Sequence, residues 1–180
     1  MDFLVKAAAL AVKTVPDANA SWMESFVRRY DQVDVNVVMG AGGGCITPVI
    51  RDCGRKGLRA LSLELAALDD ALFADAEGLV VKDASLLAPG TLSVHNLGMY
   101  GVKAASPIIL PPQAVALAFG SVVDTVVPRT NPRHGEDAWV VEPVMVVTIS
   151  CDHRVIDGAV AAQYISAFKA LVENPAGMIL

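Results

Sequence analysis

Val144-Met145-Val146-Val147-Thr148-Ile149-Ser150-Cys151-Asp152-His153-Arg154-Val155-Ile156-Asp157-Gly158 is the stretch on which the fold turns. The β-branched run from Val144 to Ser150 predicts a strand. Gly158 then opens a segment to Val172 with helical spacing. Gln163, Ser166, Lys169 and Glu173 gather on one side of it, and Val160, Tyr164, Ile165, Phe168 and Leu171 largely on the others; Asn174-Pro175 ends it. Between strand and helix lie Asp152, His153, Arg154 and Asp157. A strand that feeds a helix through a short ionisable loop is the kind of junction where a rigid scaffold displays function.

Working upstream, Arg129 to Asp137, with Thr130, Asn131, Pro132 and Gly135, reads as an exposed hairpin loop, and Ala114 to Val127 as one bent or two successive strands. Pro89-Gly90 breaks the chain before a strand at Thr91 to Asn96, which the glycine-bearing segment Leu97 to Gly101 follows. Leu61, Leu65, Leu68 and Leu72 stripe a long helix that begins at Leu58. Val33, Val35, Val37 and Met39 share a strand face opposite Asp34 and Asn36. Gly42-Gly43-Gly44 turns that strand into a second, Cys45 to Arg51. At the front, Asp2 is placed to cap a buried helix from Phe3 to Thr14 that Pro16 stops, and Asp17 to Ser21 forms a polar turn. There are no repeats. The order of strands and helices predicts one α/β or α+β domain, a mixed sheet packed with a helical layer.

Composition narrows the class. The chain has 180 residues, 54% apolar, 18% charged and 6% aromatic, with a mean hydropathy of +0.49. No run reaches the roughly 18 apolar residues of a spanning helix, so the expectation is no membrane partner, and the apolar surplus belongs in a large core or in subunit interfaces. Net charge is −5, with 14 Lys and Arg against 19 Asp and Glu. Without a dense basic run, nucleic acid is not expected as a partner. Cys45, Cys53 and Cys151 match neither a disulfide framework nor zinc-ligand spacing and are read as buried thiols in a reducing compartment; no metal is expected. The N-terminal apolar run is a core helix rather than a cleaved signal.

Of the three histidines, His134 sits in the polar loop and reads as a solvated side chain, whereas His153 stands in the ionisable cluster. A purely structural account of that cluster has Asp157 capping the last helix, Arg154 paired with a carboxylate and His153 as a satisfied buried imidazole. The full string Ser150 to Gly158, however, resembles the D-H-R-x-x-D-G signature of the dihydrolipoamide acyltransferase components of 2-oxoacid dehydrogenase complexes. A histidine and an aspartate-glycine at this spacing also mark chloramphenicol acetyltransferase. Asp2 to Trp22 is similar to that family's buried helix, Val33 to Ile50 to its hairpin ending in I-T-P-V-I, and Asn96 to Gly101 to its N-L-G-M-F-G segment. Ile108 to Ala118 is similar to its I-N-P-P-Q-A run, and Gly158 to Leu180 to its last helix and apolar tail.

The resemblance implies a chloramphenicol-acetyltransferase-like two-layer fold without the usual N-terminal strand and helix, over a single acyltransferase core domain, 1–180, with no lipoyl or peripheral-subunit-binding domain. It implies acetyl transfer from lipoyl to coenzyme A in a pyruvate dehydrogenase complex. His153 would be general base, Asp157 would support the loop through hydrogen bonds and a salt bridge, and His95 would stand at the oxyanion position, reaching His153 across a subunit boundary. The lipoyl group would come from another domain or chain. Expected partners are copies of the chain, as trimers in a shell joined through Met178, Ile179 and Leu180, together with lipoyl domains and the other components of the complex. The expected location is the mitochondrial matrix in a eukaryote or the cytoplasm in a bacterium.

Two departures bear on activity. Relatives carry a hydroxyl where this chain has His95, and the nearest hydroxyl on that face, Ser93, is two residues away, about 7 Å along a strand. The arginine that pairs with the motif aspartate in relatives lies in a front segment that this sequence does not contain. A scaffold paralogue that assembles without turnover is therefore the main alternative reading, and a free-standing small-molecule acetyltransferase a third. Arg51, Arg55, Lys56 and Arg59 are candidates for the coenzyme's phosphates, with a solvated cluster the simpler account.

Overall fold

In the computed structural model, residues 1–41, 44–72, 84–130 and 137–179 are described. Helix α1 spans Asp2–Thr14, β1 Ala20–Trp22, β2 Val27–Arg29, β3 Val35–Ala41, β4 Gly44–Ile46 and β5 Val49–Ile50. They are followed by α2 (Leu58–Leu72), β6 (Leu92–Asn96), β7 (Val115–Thr130), β8 (Asp137–Cys151) and α3 (Gly158–Glu173). The main sheet runs β4-β3-β6-β7-β8, with β5 also on β3. The pairs β3–β6 and β6–β7 are parallel, and β3–β4, β3–β5 and β7–β8 antiparallel. The expected mixed sheet with a helical layer is present.

Strand alternation sorts the side chains. Val35 and Val37, Leu92 and Val94, and Val115, Leu117 and Phe119 enter one buried cluster with Tyr164 and Phe168 of α3 and the alanines of α1. Phe119 stacks on Phe168 with ring centroids 5.7 Å apart. Ala7, Ala8, Ala9 and Ala11 are buried and let α1 approach α3 closely. The buried Tyr164 hydroxyl there donates to the Ala8 carbonyl at 3.0 Å. Leu61, Leu65 and Leu68 of α2 close the cluster, as their spacing predicts.

The alternate positions form the second face. Register puts Asn36 beside Ser93 and Val38 beside His95, Ser93 beside Ala116 and His95 beside Ala118, and these alanines beside Ser150 and Thr148. Between Phe119 and Val122 the β7–β8 register shifts. At the shift a Cβ on Gly120 would collide with the Lys103 carbonyl, so this position requires glycine. Beyond it the two strands continue as a ribbon with Val122, Val126, Trp139 and Val141 exposed.

Several expectations are corrected. Asp2 is the first helical residue and makes no capping bond; Met1 holds the cap position. The turn expected from Asp17 to Ser21 is confined to a single 3-10 turn, Pro16–Ala18, and Ala20 and Ser21 already belong to the hairpin β1–β2. The strand expected from Cys45 to Arg51 is two strands on either side of Thr47-Pro48. Cys45 is exposed rather than a buried thiol, whereas Cys53 is buried and Cys151 half-buried. Burial pushes the Cys53 thiol up to about 12 and that of Cys151 to about 11. Met178, expected at contacts between trimers, is buried in this chain's own core, while Ile179 is exposed. The expected loop around His134, and Leu180, lie outside the described residues. No described helix is long and apolar enough to cross a membrane.

Candidate active site

The β8-to-α3 junction is tied to the sheet by Asp152, whose amide donates to the Ala114 carbonyl at 2.9 Å. Its carbonyl then accepts from Val155 (2.9 Å) and Ile156 (3.0 Å). Its carboxylate accepts from the Arg154 amide at 3.0 Å and pairs with the guanidinium, Nε to Oδ1 at 3.0 Å and Nη2 to Oδ2 at 2.7 Å. The hydrogen bonds from Arg154 hold the Asp152 carboxyl below its ordinary value, with burial opposing. His153 sits at the tip of this turn, exposed, and its imidazole takes no hydrogen-bond partner among the described residues. The buried, satisfied imidazole of the purely structural account is not what the structure contains.

The rest of that account does hold for its neighbours. Asp157 is the N-cap of α3, accepting from the Val160 amide at 2.8 Å, and it makes no salt bridge among the described residues. Arg154 has its carboxylate in Asp152, and its guanidinium also lies 5.6 Å from the ring centroid of Trp22 in β1, a contact with no signature in the sequence.

His95 lies in the middle strand of the parallel trio, on the sheet face away from the helices. Its Nε2 is buried without a hydrogen-bond partner among the described residues, as is Ser93 Oγ on the same face. Desolvation lowers the His95 pKa from its ordinary 6.5, which keeps the imidazole neutral near pH 7. By register His95 is level with Thr148 of β8, three residues before Cys151 and two strands across. At about 3.4 Å per residue and 4.8 Å per strand, the Cα of Cys151 is roughly 14 Å from that of His95, and the chain runs on past Ala114 before it reaches His153. One chain does not bring the two histidines together.

Of the basic candidates, Arg55, Lys56 and Arg59 share the lining of one cavity and Arg51 stands apart from it. Arg51 pairs with Asp34 at 2.8 Å and Lys56 with Glu64 at 2.6 Å. Arg55 and Arg59 line a cavity of about 930 Å³ with Lys13, Met178 and Ile179. The described residues contain no cluster of His, Cys, Asp or Glu able to hold a metal.

The model of the 2-oxoacid dehydrogenases acyltransferase catalytic domain matches residues 1–180. The chain belongs to this acyltransferase family. Over 180 residues it is 41% identical to the dihydrolipoyllysine-residue acetyltransferase component 2 of the mitochondrial pyruvate dehydrogenase complex of Arabidopsis thaliana, covering 99% of this chain and 32% of that protein. It thus spans about a third of the length of this curated relative. The cubic core of the pyruvate dehydrogenase multienzyme complex superposes with a TM-score of 0.87 at 26% identity, over 99% of this chain and 70% of that one. Chloramphenicol acetyltransferase, at 13% identity and a TM-score of 0.56 over 93% of this chain and 75% of that one, shares the fold. The expected acyltransferase family and its two-layer fold are therefore present.

Proposed function

We propose that residues 1–180 form a dihydrolipoyl acetyltransferase core domain that transfers acetyl from a lipoyl arm to coenzyme A and assembles as trimers within the shell of a pyruvate dehydrogenase complex. The carrying observation is His153, an exposed imidazole without a partner among the described residues, held out on a turn that Asp152 locks through its main chain and side chain. A thiol of ordinary pKa near 8.5 is mostly protonated at neutral pH, so attack on a thioester needs a base. His153 takes the proton of the coenzyme A thiol. The thiolate adds to the acetyl carbonyl, and the tetrahedral oxyanion collapses with breakage of the bond to the lipoyl sulfur, which leaves as the thiol with the proton from the imidazolium.

The oxyanion needs a donor. The unpartnered Nε2 of a neutral His95 is suited to that task when it carries the ring proton. The separation within one chain favours a site in which His95 of one subunit serves His153 of another. Asp157 fixes the start of α3 behind the loop. The lipoyl group is supplied by another domain or chain, and the mitochondrial relative supports a matrix location in a eukaryote, with the cytoplasm its bacterial equivalent.

His95 in place of a hydroxyl also favours the second reading, a core-forming scaffold without turnover. Acetyl transfer from acetyl-CoA to free dihydrolipoamide separates the two. The enzyme reading expects turnover that falls by roughly 10² to 10⁴ in His153→Ala; an inactive parent that still assembles leaves the scaffold.

A further inference from the structure

We infer that Trp22 is a positioning residue for His153, acting through Arg154 and Asp152. The inference rests on the acetyltransferase reading above and extends it to the hairpin β1–β2, which that reading leaves without a task. The His153 imidazole makes no bond among the described residues, so its direction depends on the backbone of the turn that carries it. That turn is fixed from one side by Asp152, whose amide is bonded to Ala114, the residue before β7, and whose carboxylate takes the guanidinium of Arg154. An arginine that is 64% exposed would ordinarily move among rotamers. Here the guanidinium carbon lies over the Trp22 ring, 5.6 Å from its centroid. The attraction of the cation to the ring face favours the orientation in which the guanidinium meets Asp152 with two nitrogens. Trp22 itself is held in the hairpin by pairing of its backbone with Val27. The base is thereby flanked, at the residues before and after it, by one clamped ion pair braced from a separate element. Small losses of alignment at a base are expensive in rate while leaving substrate binding intact.

The test compares steady-state acetyl transfer to dihydrolipoamide by the assembled parent, Trp22→Leu, Trp22→Phe, Arg154→Lys and His153→Ala. Trp22→Leu should lower kcat by roughly 10-fold with both KM values unchanged, and Trp22→Phe, which keeps an aromatic face, should recover most of it. Arg154→Lys keeps the charge but not the two-nitrogen contact with Asp152, and should show the same kcat loss in a folded, assembled protein. Parental kcat in Trp22→Leu or in Arg154→Lys, with His153→Ala inactive, overturns the brace and leaves the base in place. Parental activity in His153→Ala overturns the reading of the site and the brace with it.

Discussion

On the helix side of the sheet, Val35, Val37, Leu92, Val94, Val115 and Leu117 pack against α1 and α3 without a polar side chain among them. On the other side β3, β6 and β8 carry Asn36, Ser93, His95, Thr148 and Ser150, and two polar atoms there, Ser93 Oγ and His95 Nε2, are buried without partners among the described residues. A buried polar group without a hydrogen bond costs on the order of 1–3 kcal/mol. One face is thus built for stability. The other keeps unspent hydrogen-bonding capacity, which is what a site that waits for a substrate and a second subunit requires.

The comparison can be broken from either face. Phe168→Ala removes the ring stacked on Phe119 from the helix-side core and should lower the unfolding free energy by about 3–5 kcal/mol, measured by urea titration; a cost near zero would mean that this face is not the core. On the other face, His95→Ala should cost about 10²–10³ in kcat if Nε2 is the oxyanion donor, whereas His95→Ser, which restores the hydroxyl, should retain or raise turnover. A large loss in His95→Ser assigns the imidazole a role that a hydroxyl does not fill. Asp157→Ala removes the cap of α3 and should destabilise by about 1 kcal/mol, seen in thermal unfolding; the Asp157→Asn variant, which still accepts from the Val160 amide, should keep most of that stability.

The smallest effect concerns pH. His95 has its folded pKa below the ordinary 6.5 because of burial, so the unfolded chain takes up this proton first as the pH falls through 6.5. Its contribution to stability is complete above that value and declines below it. The urea midpoint of the parent should therefore drop more between pH 7.5 and 5.5 than that of His95→Ser. An equal drop would mean that His95 titrates alike in both states.

How much of this is written in the sequence follows from how local each feature is. The paired strands β7 and β8 are legible because their β-branched runs and the helix after them are continuous in the chain. The hairpin β1–β2 is not: three-residue strands, one of them the exposed Val27-Arg28-Arg29, carry no alternation long enough to read. His153 stands out because its neighbours in sequence are also its neighbours in space. Its separation from His95 is not legible, since that distance is set by the register of β6, β7 and β8, pairings between residues far apart along the chain. The contact of Arg154 with Trp22 is hidden for the same reason. Exposure of Cys45 follows from its place in β4, a short strand at the edge of the sheet, which its apolar sequence context does not reveal.

In the proposed assembly the polar face of one chain and the β8-to-α3 turn of another complete a single site. Co-assembly of His153→Ala with His95→Ala tests it most directly. Each variant alone should be nearly inactive. If the histidines of each site come from different subunits, random mixing at equal amounts places one intact pair in about a quarter of the sites of a symmetric oligomer, and activity should recover toward a quarter of the parent's. Activity in the mixture no greater than the mean of the two separate variants would contradict it.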